Sequence, residues 1–249
     1  MAGYRAELGG RGQRVLGEAA EDCLKNVFEL QRIEGRASTS ALAARLGVSE
    51  PTITAMVKRL SRMGLLDYTP YHGVKLSPTG EKLALTIIRH HRLVELYLVE
   101  ALGLSWEKVH AEADRLEHTI SEEVGERMDA ALGRPTSDPH GHPIPSRDGE
   151  VEDAPHTSLL DLDAGASATV RQVPDHDPEL LQYLAELGLV PNAAVRVVDK
   201  APFGGPLTLQ LGDKRQTVGS ELARVVQVSQ KRLREEKPGS SLEADLAER

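Results

Sequence analysis

Between residues 35 and 77 helix stop and start signals follow one another so closely that only short helices fit. An amphipathic run over 18–34, with Leu24, Val27, Phe28, Leu30 and Ile33 at helical spacing, ends at Gly35. Ser38, Thr39 and Ser40 then offer an N-cap for a run over 41–46, which Gly47 breaks. Ser49 caps the next helix, Pro51 suits its first turn, and Ile53, Met56, Val57 and Leu60 share a face before Gly64. Residues 65–77 change to strand character around a polar centre at Tyr71, His72 and Gly73, which reads as a hairpin. Helix, short turn, helix and hairpin give the outline of a winged helix-turn-helix.

The rest of the chain alternates more slowly. Ser77-Pro78 starts a long helix to about Leu102, and Gly103 separates it from another, capped by Ser105 and running to about Leu132. Residues 134–157, rich in Pro, Gly, Asp and His, read as loop and linker. Short β-rich runs at 168–173, 195–198, 207–211 and 224–228, with one helical insert at 178–187, suit a small, partly open β-barrel. The predicted class is therefore mainly α with a small β domain. Residues 1–17 and the charged tail from Lys231 read as loosely ordered.

Charge is distributed unevenly about a net −8. Residues 35–92 hold nine Lys/Arg against three Asp/Glu, whereas 93–160 hold five against fifteen. A basic segment followed by an acidic one points to an anionic partner for the first and a cation for the second. In a helix-turn-helix the start of the second helix enters the major groove, which here presents Ser49, Pro51, Thr52, Thr54 and Ala55. Thr and Ala methyls can meet thymine methyls, Lys58, Arg59 and Arg62 suit phosphates, and Tyr71 and His72 form the wing tip. A winged helix that serves only protein contacts does not need that positive charge. The single cysteine, Cys23, excludes an internal disulfide and a multi-thiolate zinc site within one chain. No apolar stretch approaches the ~20 residues of a membrane span. A soluble, cytoplasmic protein without a membrane partner is expected.

On a helix advancing about 100° per residue, His110, Asp114, Glu117 and His118 fall within an arc of about 100°. Apolar Val109, Ala113, Leu116 and Ile120 lie beside them, and His91 and Glu95 are spaced i, i+4 on the preceding helix. Carboxylates and imidazoles from two neighbouring helices are a ligand set for Mn2+, Fe2+ or Zn2+. A solvated face accounts for any one of these residues; six on consecutive helices favour a metal. A metal-dependent hydrolase would need a general base beyond the ligands, and no such motif is evident. A sensor of an organic ligand would bind its operator regardless of chelators.

Together these segments resemble the diphtheria toxin repressor and manganese transport regulator family of metal-dependent repressors. The resemblance rests on Ser49-Glu-Pro-Thr-Ile-Thr, Leu76-Ser-Pro-Thr-Gly-Glu, His90-His-Arg-Leu-Val-Glu and the run from Trp106 to His118, with Gly141-His-Pro-Ile-Pro and Leu189-Val-Pro-Asn-Ala extending it. It implies a DNA-binding domain at 1–84, a helical dimerisation and metal-binding domain at 85–150, a linker at 151–158, an SH3-like domain at 159–229 and a tail at 230–249. The family's primary site implies Asp22, Asp114, Glu117 and His118. Its ancillary site implies His91, Glu95 and His110, with Gln172 and Asp175 from the SH3-like domain; His176, Asp177 and Glu179 are alternatives. The implied function is a homodimeric repressor of metal-uptake genes, bound to double-stranded operator DNA and needing no organic cofactor.

Iron-sensing members carry methionine where this chain has Asp22 and cysteine where it has Asp114. Hard carboxylates at both places favour Mn2+, with Fe2+ as the alternative. Manganese-sensing members that lack the third domain have a further acid where this chain has Lys25, so a copy of their close two-metal cluster is not expected. Cys23 points about 100° away from Asp22 on a helix and reads as core or partly exposed, not as a ligand.

Overall fold

The computed structural model describes residues 16–152 and 156–230. The tail, most of the N-terminal stretch and part of the expected linker lie outside the described residues. Two compact units emerge: one takes the described residues through Glu152 together with Gln172–Pro191, the other takes 156–171 and 192–230.

In the first unit α1 (Glu18–Glu34), α2 (Thr39–Leu46) and α3 (Glu50–Arg62) precede the hairpin of β1 (Leu66–Thr69) and β2 (Gly73–Leu76). Gly35 and Gly47 end α1 and α2 in the left-handed conformation, at φ 75° and 63°. The Ser38 and Ser49 hydroxyls accept from Ala41 N and Thr52 N and so start α2 and α3. Leu66 pairs with Leu76 and Thr69 with Gly73, which leaves Tyr71 and His72 at the exposed wing tip. Leu24, Val27, Leu42, Val57, Leu60, Leu66 and Val74 form one buried core, and Ala84, Leu85 and Ile88 of α4 (Pro78–Glu100) join it. Farther along α4, Val94 and Leu98 pack with Val109 and Ala113 in a smaller core. One helix therefore carries two cores, with His91 between them.

The single helix expected from Ser105 to Leu132 does not form. Instead α5 (Val109–Leu116) begins without a side-chain cap, and Glu117–Thr119 tighten into a 3-10 turn. Ile120 is extended, and Ser121 caps α6 (Glu122–Ala131) by accepting from Val124 N. The cause is local: Thr119 Oγ1 donates to Leu116 O, and Ser121 followed by Glu122 and Glu123 is a better helix start than continuation. After the loop that follows, α7 (Pro178–Leu187) forms where the helical insert was expected.

The second unit is a six-stranded sheet in the order β3-β8-β4-β5-β6-β7. Its strands are β3 (Thr157–Ser158), β4 (Ser167–Gln172), β5 (Ala194–Lys200), β6 (Leu207–Leu211), β7 (Lys214–Val218) and β8 (Gln227–Gln230), with α8 (Ser220–Val225) before the last. Alternate residues are buried: Ala168 and Val170, Val195 and Val197, Leu207 and Leu209. The strand expected at 224–228 is partly helix, because α8 extends through Val225. Strand β7 escapes the hydrophobic pattern since Lys214 and Arg215 suit an exposed edge.

Gly80, in the first turn of α4, is required by close approach: a Cβ there would lie 1.9 Å from Leu65 O. Gly80→Ala is expected to destabilise the protein by about 1–3 kcal/mol, read from the urea midpoint; an unchanged midpoint would refute that contact.

Candidate metal centre

Helix α1 presents Glu21, Asp22 and Lys25 towards α4, α5 and the 3-10 turn. His118 Nε2 lies 3.0 Å from Asp22 Oδ1 and 3.6 Å from Glu117 Oε1, while His118 Nδ1 donates to Glu21 Oε2 at 2.7 Å. Asp22, Glu117 and His118 thus form a compact three-ligand set. Burial raises the Asp22 carboxyl above its ordinary value, although His118 and Lys25 oppose it.

Asp114, expected in the same set, stands apart from it. The Lys25 ammonium intervenes, 2.8 Å from Asp114 Oδ1, 3.0 Å from each Glu117 oxygen and 3.4 Å from His91 Nδ1. Lys25 is only 8% exposed. Burial alone would drive off its proton, but Glu117 and Asp114 outweigh it and hold the ammonium above its usual range. The same lysine lowers the Asp114 carboxyl against the effect of burial. Asp114 groups with His91 and His110.

The expected ancillary residues do converge. Glu95 Oε1 lies 3.0 Å from both His91 Nε2 and His110 Nδ1, and the other His91 nitrogen meets Glu117 Oε2. Asp175 Oδ2 is 4.0 Å from His110 Nδ1. Gln172 ends β4, and among the described residues its side chain makes no hydrogen bond to this cluster. Asp177 is occupied in capping α7, where it accepts from Glu179 N and Leu180 N. His176 lies beside Asp175, its Nδ1 3.5 Å from Asp175 Oδ1.

The stretch read only as loop supplies three more candidate ligands. In Asp138-Pro-His-Gly-His, Asp138 Oδ1 accepts from the backbone N–H of His140 (2.8 Å) and of His142 (2.9 Å). Gly141, at φ 90°, closes the turn, and Val173 N donates to His140 O at 3.0 Å. Among the described residues five buried side-chain atoms make no hydrogen bond, and besides His156 Nδ1 they are all here: Glu95 Oε2, Asp138 Oδ2, His140 Nδ1 and His142 Nδ1. His140 Nδ1 is 3.8 Å from Glu95 Oε2, and His142 Nδ1 is 3.2 Å from Asp138 Oδ2 and 3.6 Å from Asp175 Oδ2. Each unpartnered buried polar atom costs about 1–3 kcal/mol, so four gathered together call for a cation. The Asp-x-His-x-His spacing inside a Pro/Gly turn is the signal that could have revealed them.

No thiolate joins this donor set: Cys23 is fully buried, and burial pushes its thiol up to about 11. Oxygen and imidazole donors alone fit Mn2+, Fe2+ or Zn2+. At the start of α3, Ser49 Oγ accepts the capping bond from Thr52 N and pairs with Thr52 Oγ1 at 2.8 Å. Pro51, Ala55, Lys58, Arg59 and Arg62 are exposed and Thr54 is half-buried.

Comparison with known proteins places this geometry in a family. Residues 15–74 match the iron dependent repressor N-terminal DNA binding domain, 77–146 its metal binding and dimerisation domain, and 157–230 the FeoA domain. The iron-dependent repressor IdeR of Mycobacterium tuberculosis is 35% identical over 223 residues, which span 85% of this chain and 96% of that protein. The diphtheria toxin repressor of Corynebacterium efficiens is 35% identical over 187 residues, spanning 72% and 80%. A solved manganese-dependent transcriptional repressor in complex with manganese superposes with a TM-score of 0.80 at 36% identity, covering 85% of this chain and 100% of that one. The chain belongs to the iron-dependent repressor and diphtheria toxin repressor family of metal-responsive transcriptional repressors. Its relatives are described as repressors, and the family model matched by residues 15–74 is a DNA binding domain. Among the described residues no helix is long and apolar enough to cross a membrane.

Without metal, the imidazoles neutralise the carboxylates. Burial opposes charge on His91 and His140, but Glu95 and the neighbouring acids outweigh it and push them up to about 10 and about 9. Asp175 is held well below the usual carboxylate range: burial works against its ionisation, but His176, His142 and His110 prevail. A raised histidine stabilises the fold fully below its ordinary value of 6.5 and loses that contribution as pH rises through its folded value. The melting temperature of EDTA-treated protein should therefore fall between pH 7 and about 10. A melting temperature that climbs over that interval would count against these ion pairs.

Proposed function

We propose that this chain is a Mn2+-activated repressor, with Fe2+ as the alternative activator, which binds operators of metal-uptake genes as a cytoplasmic homodimer. The observation that carries the reading is the convergence of unpartnered, buried Glu95, Asp138, His140 and His142 atoms beside Asp175, with no sulfur among them. The carboxylates at Asp22 and Asp114 favour the harder ion. Solved relatives are described as manganese-dependent, while the mycobacterial relatives are described as iron-dependent.

Two ligand groups follow from this reading. Asp22, Glu117 and His118 form the first, with Asp114 at its margin behind Lys25. Glu95, His140 and Asp175 form the second, supported by Asp138 and His142, with His91 and His110 joining the two groups. The domain limits 1–84, 85–150, 151–158, 159–229 and 230–249 remain the working division. Ser49, Pro51, Thr52, Thr54, Ala55, Lys58, Arg59, Arg62, Tyr71 and His72 form the operator-facing set, with Ser49 and Thr52 shaping the helix end.

A divalent cation, when bound, supplies the positive charge that carboxylates from separate segments need in order to remain close. The chain's own residues make that closeness matter for DNA. Asp22 belongs to the helix that packs in the DNA-reading core, whereas Glu117 and His118 belong to the segment after α5. Holding them together fixes α1, and with it α3, against α4 and α5. In a dimer this selects the arrangement in which two recognition helices reach successive major grooves, ~34 Å apart. The shift is limited by how much better the ligands bind in that arrangement, and by linkage DNA tightens metal binding equally.

Operator binding titrated separately with Mn2+ and anaerobic Fe2+, followed by fluorescence anisotropy, tests this reading. Asp22→Ala is expected to abolish metal-dependent operator binding and to leave the dimer intact on sizing; a variant that still needs Mn2+ and still binds would remove Asp22 from the site. Lys25→Met should destabilise the metal-free protein by about 3–5 kcal/mol, because Asp114 and Glu117 lose their cation. Mn2+ should recover most of that loss in denaturant melts, and a variant as stable as the parent without metal would refute the tie.

A further inference from the structure

Trp106 is the only tryptophan in the chain and lies in the turn between α4 and α5. Its ring stacks on the imidazole of His140, with centroids 5.5 Å apart and planes inclined by 25°. Its backbone carbonyl lies 2.9 Å from His140 Nε2. A carbonyl only accepts, so Nε2 carries the hydrogen, and in the neutral ring the lone pair falls on Nδ1. Nδ1 is the buried nitrogen without a hydrogen bond, near the likewise unpartnered Glu95 Oε2. The same residue thus clamps the ring face and selects which nitrogen is free.

Stacking also restrains the ring: the indole face fixes the imidazole plane and keeps Nδ1 turned towards Glu95 Oε2, 3.8 Å away. We propose that Trp106 is a positioning residue for a divalent cation held by Glu95, His140 and Asp175: its carbonyl engages Nε2 of His140, and its indole holds the ring so that Nδ1 faces Glu95. This rests on reading that cluster as a metal site. Glu107 and Lys108, although adjacent, have no such contact with His140 among the described residues.

The test uses metal-stripped, full-length protein. Mn2+ affinity is measured by calorimetry while the emission of the single tryptophan is followed. Trp106→Ala should weaken Mn2+ binding roughly tenfold, and Trp106→Phe, which keeps an aromatic face, should recover most of it. In the parent and in Asp22→Ala the emission should change along the calorimetric curve, whereas in His140→Ala it should stay flat. With Zn2+ as a diamagnetic probe, imidazole 15N shifts should show Nδ1 of His140 responding while Nε2 keeps its hydrogen. Parent-like affinity in Trp106→Ala, no rescue by phenylalanine, or a response at Nε2 overturns the role of Trp106 alone. Undiminished calorimetric binding in His140→Ala overturns the metal reading of the cluster itself, so the two failures are distinguishable.

Discussion

The ion pairs of Lys25 tie the first helix of the helical unit to α5 and the 3-10 turn that follows it. A buried ammonium is tolerated only because Asp114 and Glu117 arrive from residues about ninety positions away. Those carboxylates in turn are tolerated only because Lys25 and His91 lie among them. The arrangement sets how closely α1 approaches α5 and the 3-10 turn. It also splits what would otherwise be one pool of acids into two groups, one around His118 and one around Glu95.

Each group is braced from behind by atoms that do not face the other ligands. Glu21 takes one nitrogen of His118 and leaves the second towards Asp22 and Glu117. Asp138 spends one oxygen on two backbone N–H groups and leaves its partner oxygen bare. Trp106 does the same for His140 through a main-chain carbonyl. Ligands restrained in this way lose little further freedom on binding a cation, which is the physical content of a preorganised site.

Local signals in the sequence were sufficient for the reading domain and insufficient for the centre. Ser38, Gly47, Ser49 and Gly64 each act within a few residues, so α2, α3 and the hairpin could be read directly. His91, Glu95 and His110 were found because helices repeat. Asp138, His140 and His142 were not, because a turn has no period and its purpose is visible only when Glu95 and Asp175 stand beside it. The separation of Asp114 from Asp22 was likewise invisible on a helical wheel, since a lysine from another helix causes it. The wheel also assumed an unbroken helix, whereas Ser121 competes successfully for a new start.

Helix α4 runs for 23 residues without interruption. At 1.5 Å per residue it is about 34 Å long, with the wing anchored at its first turn and the acid-histidine cluster beyond its midpoint. Its start is seated against Leu65, Ser77 capping Gly80 N, so it has no joint at which to bend. A rigid rod converts angle into distance: a tilt of about 10° about His91, roughly 20 Å from the start of the helix, carries that start by about 3.5 Å. Small adjustments at His91 and Glu95 would thus be magnified, at the wing, into a displacement of about one step between neighbouring base pairs.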